Sequence, residues 1–292
     1  MSTDSANHQP HFREVAAQVI FTIAAALSIV CVALICVFLF ANGIPAMAQI
    51  GLPDFLFGTT WRPSNDIYGI FPMIVGSIYV TAGAAIVGVP IGFLCAVFLA
   101  RFSNGAISRF LKPGVELLAG IPSVIYGFFG LVVIVPFIRN TMPGNGLSLL
   151  AASVLLGIMI LPTVITVSES AIEAVPSQYY EGALALGADH ERSVFHVVVP
   201  AATSGIVAGI VLGIGRAIGE TMAVIMVAGN QTVIPGSIFD GVRTMTANIV
   251  LEMGYAAGLH RGALVATGVV LFVFVLLITL CVNVIKSRGE AR

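Results

Sequence analysis

Six apolar runs, at approximately 15–41, 70–100, 115–138, 147–167, 201–229 and 262–285, dictate what this chain can become. Each is long enough for a helix to cross about 30 Å of hydrocarbon, which takes about 20 residues. The rest of the composition agrees. Of the 292 residues, 58% are hydrophobic and 9% charged, too few charges to cover a water-soluble particle. Many of the 31 Gly and 14 Pro lie inside apolar stretches, where helices in lipid tolerate them. The expected fold is an all-α integral membrane protein with six transmembrane helices. The first run is too long for a cleaved signal peptide and no small-residue cleavage motif closes it, so it is expected to stay as an anchor.

Several classes drop out early. A net charge of -1 argues against a nucleic-acid partner, which calls for a basic face. Cys31, Cys36, Cys95 and Cys281 lie in apolar runs without CxxC or metal-ligand spacing, so they read as small hydrophobes, and no metal site is expected. Neither Lys112 nor Lys286 stands in a GxxxxGK[ST] loop, so the chain is not expected to bind ATP in that way.

Positive charge is retained on the cytoplasmic side of a membrane. With the amino terminus inside, the inner segments hold Arg13, Arg101, Arg109, Lys112, Arg192, Lys286, Arg288 and Arg292, and the outer ones hold Arg62, Arg139, Arg243 and Arg261. Both termini are therefore expected in the cytoplasm. This gives an inner tail at 1–14, a first span and outer loop at 15–69, a transmembrane domain at 70–285 with a cytoplasmic loop at 168–200, and a second inner tail at 286–292. The outer stretch 42–69 carries Pro53, Trp61, Pro63 and Tyr68, suited to the headgroup level, and the pattern around Ile249, Val250 and Met253 predicts a short outer helix.

The loop between the fourth and fifth runs reads EAVPSQYYEGALALGADHERSVFHVVVP. Pro176 suits a first helical turn, Glu181 to Leu186 are mostly helix formers, and Gly187 is placed to end the helix. Tyr179, Tyr180, Leu184 and Leu186 give this projecting element apolar surface with no bilayer to bury it, which points to a protein partner. An ordinary connection covering the inner helix ends is the plainer alternative.

Arg216 and Glu220 stand well inside the fifth run. A charge at mid-bilayer costs about 2.5 kcal/mol or more, so such residues face protein or a polar cavity. At about 100° per residue, Gly205, Gly209, Gly213, Arg216 and Glu220 fall within roughly 80° of one face, and glycines there permit close helix approach. The i, i+4 spacing lets the two charges contact each other. Either they only cement an interface, or Arg216 offers positive potential to a passing anion while Glu220 restrains it. Hydrogen phosphate has an O–H that Glu220 can accept, and sulfate at neutral pH has none. Weaker candidates are read as structural: Pro122 and Ser123 as a kink in the third span, Glu116 as a helix-start charge, Glu252 and His260 as solvated outer residues, and Glu169 and Glu173 as exposed helix-end residues.

The loop residues Glu181, Gly182, Ala183 and Gly187, followed after nine residues by Val197, Val199 and Pro200, resemble the EAA loop of ABC-importer permeases, EAAxxxG-(nine)-IxLP, with Gly182, Val197 and Val199 as conservative departures. The resemblance implies the MetI-like permease fold, with this loop seated on a separate ATPase. The strings RAIGETMAVIMVAGN, ELLAGIPSVIYGFFG, YGIFPMIVGS and RTMTANIVLEMG resemble the PstC family of phosphate-transport permeases from Trp61 onward. The sister family, PstA, shares the RAxGET core but continues with Ala-Pro, where this chain has Met222 and Ala223.

That resemblance implies an inorganic phosphate importer in a bacterial inner membrane. Its partners would be a PstA-like permease subunit, two copies of a cytoplasmic ABC ATPase, and an extracytoplasmic phosphate-binding protein. Arg216 and Glu220 would line the substrate pathway. No cofactor or catalytic residue is expected in this chain, ATP and Mg belonging to the ATPase. Permeases for sulfate or molybdate, an ATP-independent channel or carrier, and a phosphate-signalling scaffold are the rival readings.

Overall fold

The computed structural model describes residues 12–290, with side-chain burial for Val15 and from Ala17 to Leu280. The tail expected at 1–14 falls largely outside the described residues, and of that expected at 286–292 the backbone of 286–290 continues the last helix. The side chains of Arg13, Cys281, Lys286, Arg288 and Arg292 also fall outside the described residues.

The chain opens with α1, Phe12–Ile50, whose apolar side chains from Val19 to Phe38 are mostly exposed. An apolar helix so uncovered requires lipid as its solvent. A short α2, Leu52–Phe57, leads to an antiparallel hairpin of β1, Trp61–Arg62, and β2, Ile67–Tyr68. The second span is α3, Phe71–Val97, extended by a wider turn to Phe102.

The third run differs from the expected 115–138. Residues Gly105–Gly120 form a separate helix, α4, with no buried residue, and the span itself runs from Ser123 through α5, Ser123–Phe129, to α6, Val135–Thr141. Pro122 explains the break: its ring drives Ile121 out of the helical region, and both residues are extended. Pro122 thus starts the span instead of kinking it, and Glu116 lies within α4, not at the start of a span.

The fourth span, α7, Leu149–Glu173, is the central post. It is apolar nearly all round and well buried, as a helix with no polar face must be. After it come α8, Ser177–Ala185, α9, His190–Ser193, α10, Val199–Ala201, and α11, Thr203–Gly219. The stretch through α9 and α10 meets α11 at a 70° bend, so the fifth span is broken at its amino-terminal end. It is broken at its carboxy-terminal end too, because α12 is the separate helix Met222–Val227. The expected outer helix is α13, Met245–Met253, and the sixth span is α14, Gly258–Glu290.

Among the described residues, five helices are long and apolar enough to cross a membrane, and six spans result when the bent pair is taken as one. α3, α7, α11 and α12 enclose the main core around Leu155, Met159, Ile160 and Val224. A second core joins the end of α1 to α2, the hairpin and α14 through Phe55, Trp61, Tyr68, Met245 and Leu264.

Candidate functional site

The surface of α11 that carries Gly205, Gly209 and Gly213 is pressed onto α7. A Cβ added at Gly205 would collide with Ala171, one at Gly209 would press on Ser168 and Val167 at 3.1 Å, and one at Gly213 would meet Val164 at 2.9 Å. The glycines therefore set the depth at which α11 docks, as expected for a glycine-lined helix interface. On the other side of the helix, added Cβ atoms at Gly215 and Gly219 would meet nothing within 4 Å. One surface of α11 is fused to the core and the opposite one is open.

Arg216 stands at the border between the two. It is half-buried, and its Nη1 donates to Thr163 Oγ1 on α7 at 3.5 Å, the long end of a hydrogen bond. The expected contact with Glu220 does not form: among the described residues no carboxylate lies within 4.0 Å of Arg216. The reason is the carboxy-terminal break in the span. α11 ends at Gly219, and Glu220 is extended with φ -68° and ψ 136°, so the helical i, i+4 geometry is lost at its last member.

Glu220 instead turns onto the next helix. Its Oε1 accepts from the backbone N–H of Thr221 at 3.0 Å and of Ala223 at 3.2 Å, satisfying amides that open α12. Thr246 Oγ1 donates to the Glu220 carbonyl at 3.0 Å, which ties the break to α13. Arg216 is thus left as a cation in a membrane span whose only side-chain hydrogen-bond partner, among the described residues, is a hydroxyl. Two crevices, about 500 Å³ beside Tyr79, Ser153 and Ile238 and about 400 Å³ beside Ala171, Tyr179 and Gly205, include neither Arg216 nor Glu220. Arg216 and Glu220 are both half-buried and stand at the edge of the open surface of α11, outside both crevices.

Within the stretch expected as a loop at 168–200, residues 168–173 continue α7, and α8 and α9 then form a helical hairpin. α8 ends in a Schellman closure, with Gly187 N–H on Leu184 O at 2.9 Å and Ala188 N–H on Ala183 O at 3.1 Å. That closure requires Gly187 at φ +86°, where side chains other than glycine's are strained. Asp189 then caps α9 through Arg192 N–H at 2.7 Å. Glu181, Gly182, Leu184 and Leu186 are exposed, Leu186 at 92%, while Ala183 is buried. Val197 and Val199 are half-buried, and Pro200 is exposed just before the 70° bend. Tyr180 does not add to the open surface; it is half-buried, with its hydroxyl 2.8 Å from His190 Nδ1.

Two expected surface groups are buried. Glu252 is 6% exposed and takes Arg243 Nη1 on one carboxylate oxygen at 2.6 Å, and Trp61 Nε1 and His260 Nε2 on the other, each at 2.9 Å. His260 is itself enclosed by the rings of Trp61, Tyr68 and Tyr255. Glu252 and His260 are therefore a structural clamp of the second core, not solvated residues; the partners that bury them are far away in sequence. Glu169 is 8% exposed and pairs with Lys112 of α4 at 2.7 Å, with the exposed Glu173 at 3.0 Å. The hydrogen bonds from Lys112 to Glu169 and then Glu173 push the Lys112 pKa up. Nothing in the local pattern marks Thr163 beyond a hydroxyl after Pro162 in an aliphatic run.

Residues 88–289 match the family described as binding-protein-dependent transport system inner membrane component. The chain is 38% identical over 284 residues to the probable ABC transporter permease protein YqgH of Bacillus subtilis (strain 168), covering 95% of this chain and 92% of that one. It is 34% identical to the phosphate transport system permease protein PstC of Mesorhizobium japonicum, over 92% of this chain and 88% of the relative. Among solved structures, the inward-facing MetNI methionine ABC transporter aligns with a TM-score of 0.61 at 21% identity, over 79% of this chain and 99% of that chain. A bacterial alginate ABC transporter aligns at 0.59 and 15% identity, over 93% and 96%. The fold is the MetI-like permease fold.

Proposed function

The chain belongs to the family of binding-protein-dependent transport system inner membrane components, and from that membership we propose that it is the permease subunit of an ATP-driven importer of inorganic phosphate. Likeness to relatives named as phosphate permeases supports the substrate. The observation that carries the reading is Arg216: a half-buried cation inside a span, at the edge of an open helix surface, with no carboxylate against it among the described residues. A guanidinium so placed offers a fork of donors to a tetrahedral oxyanion. Glu220 lies beyond contact with it and serves differently from a neutralising partner. Its Oε1 holds two amides and its Oε2 is left to accept the O–H of hydrogen phosphate. Sulfate, lacking that hydrogen, meets only a negative charge.

The open surface of α11 is one wall of the pathway, and a PstA-like subunit supplies the other. The hairpin of Glu181, Gly182, Ala183 and Gly187, continuing through Val197, Val199 and Pro200, seats on a cytoplasmic ABC ATPase, of which the assembly holds two copies. ATP and Mg reside there. A phosphate-binding protein docks on the opposite side, and both termini of this chain face the cytoplasm across the bacterial inner membrane. Closure of the ATPases pushes α8, and the 70° bend at Ala202 passes that push to α11, so that the site rocks between the two sides.

The test is reconstitution of the complex in vesicles, with labelled phosphate and the binding protein on the outer side of the permease and ATP on its ATPase side. Phosphate accumulation that depends on both the ATPase and ATP is the expected result; accumulation without them contradicts the proposal.

A further inference from the structure

We propose that Thr163 is a second, uncharged ligand of the transported anion, donating its hydroxyl hydrogen to an anion oxygen beside Arg216. The inference rests on the phosphate-permease reading and deepens it by placing a specificity residue on a second helix. In the contact between Arg216 Nη1 and Thr163 Oγ1 the guanidinium has only donors, so the hydroxyl oxygen is the acceptor and its hydrogen remains uncommitted. Helical hydroxyls elsewhere in the chain direct that hydrogen to the carbonyl four residues back, as in Thr22, Thr141, Ser170, Thr267 and Thr279. Among the described residues Thr163 makes no such bond to Met159.

An uncommitted hydroxyl in a membrane span costs free energy unless it meets water or a ligand. Thr163 is half-buried and stands where α7 and α11 are locked together, since a Cβ at Gly213 would press on Val164 at 2.9 Å. The Arg216 contact, at 3.5 Å, is loose enough for an anion oxygen to replace it. A tetrahedral oxyanion presents more acceptor oxygens than one guanidinium can satisfy. A hydroxyl adds a directed donor without adding positive charge, so it improves fit while leaving release easy, as transport requires.

The experiment compares Thr163→Val, Thr163→Ser and Arg216→Gln with the unaltered complex, measuring the KM and kcat of ATP-driven phosphate uptake in vesicles and the melting temperature of each complex. Loss of one hydrogen bond to an anion predicts that T163V raises KM about tenfold with kcat within about twofold. T163S restores the original KM, and neither variant changes the melting temperature. A T163V complex with unaltered KM, while R216Q abolishes uptake, overturns the Thr163 assignment alone, as does a T163V defect that T163S fails to rescue. Unaltered complexes that take up no phosphate overturn the parent reading and this one together.

Discussion

Trp61 Nε1 donates to Glu252 Oε2 at 2.9 Å, a bond between residues 191 apart that fastens the β1–β2 hairpin to α13. The same carboxylate holds Arg243 and His260, so one buried acid joins the hairpin, the loop before α13, and the start of α14. Removing one partner of a buried ion pair leaves the other charge uncompensated, at a cost of about 3–5 kcal/mol. Glu252→Ala is therefore expected to lower the melting temperature of the purified complex and to shift the emission of Trp61, the chain's single tryptophan, to the red. Unchanged emission and melting would contradict the clamp.

Gly187 closes α8 at φ +86°, with open space where a Cβ would go. Conformation, not volume, forbids substitution there, and a residue with a side chain loses about 1–2 kcal/mol in that region. Gly187→Trp also puts a bulky ring on the surface proposed to meet the ATPase. The expected outcome is loss of ATPase co-purification, or ATP hydrolysis uncoupled from uptake; coupled uptake at the original rate refutes the docking role.

The two surfaces of α11 predict opposite responses to added bulk. Gly209→Leu forces side-chain volume against Ser168 and Val167 and is expected to destabilise by about 1–3 kcal/mol or more. Gly215→Ala meets nothing within 4 Å and gains helix propensity, so it is expected to melt at or slightly above the original temperature. Thermal melts in detergent distinguish them, and equal destabilisation by both variants would place α11 wrongly.

Tyr68 is held neutral by burial, then by its hydrogen bond to Asp66 and that group's charge, which together raise its pKa from 10.0 to about 12. A raised pKa means the folded state prefers the protonated phenol, so this stabilisation is intact below pH 10 and is lost as pH rises toward 12. The second core is expected to loosen in that window. Absorbance titration should show a late-ionising phenol that is lost in Tyr68→Phe; a Tyr68→Phe curve identical to the original disproves it.

The spans were legible because lipid imposes length and hydropathy on every crossing helix, and the turn at Gly187 because a positive φ selects glycine. The break at Pro122 follows from a local rule, and only the continuous apolar run on both sides hides it. The break at Glu220 has no such signature: the hydroxyl that holds its carbonyl comes from Thr246, 26 residues away, and the neighbouring amides of Thr221 and Ala223 carry no side-chain signal. The burial of Glu252 and Glu169 was hidden for the same reason. A carboxylate looks solvated in sequence until a distant Trp61, Arg243 or Lys112 is brought to it.

ATP-driven phosphate uptake by complexes carrying Arg216→Gln tests the central claim most directly, with ATPase assembly and melting temperature measured alongside. The account predicts that uptake falls at least about a hundredfold, the loss of roughly 2.7 kcal/mol of anion stabilisation, while assembly and melting are unchanged. Uptake at the original rate in R216Q would reduce the residue to a contact with Thr163 and contradict the account.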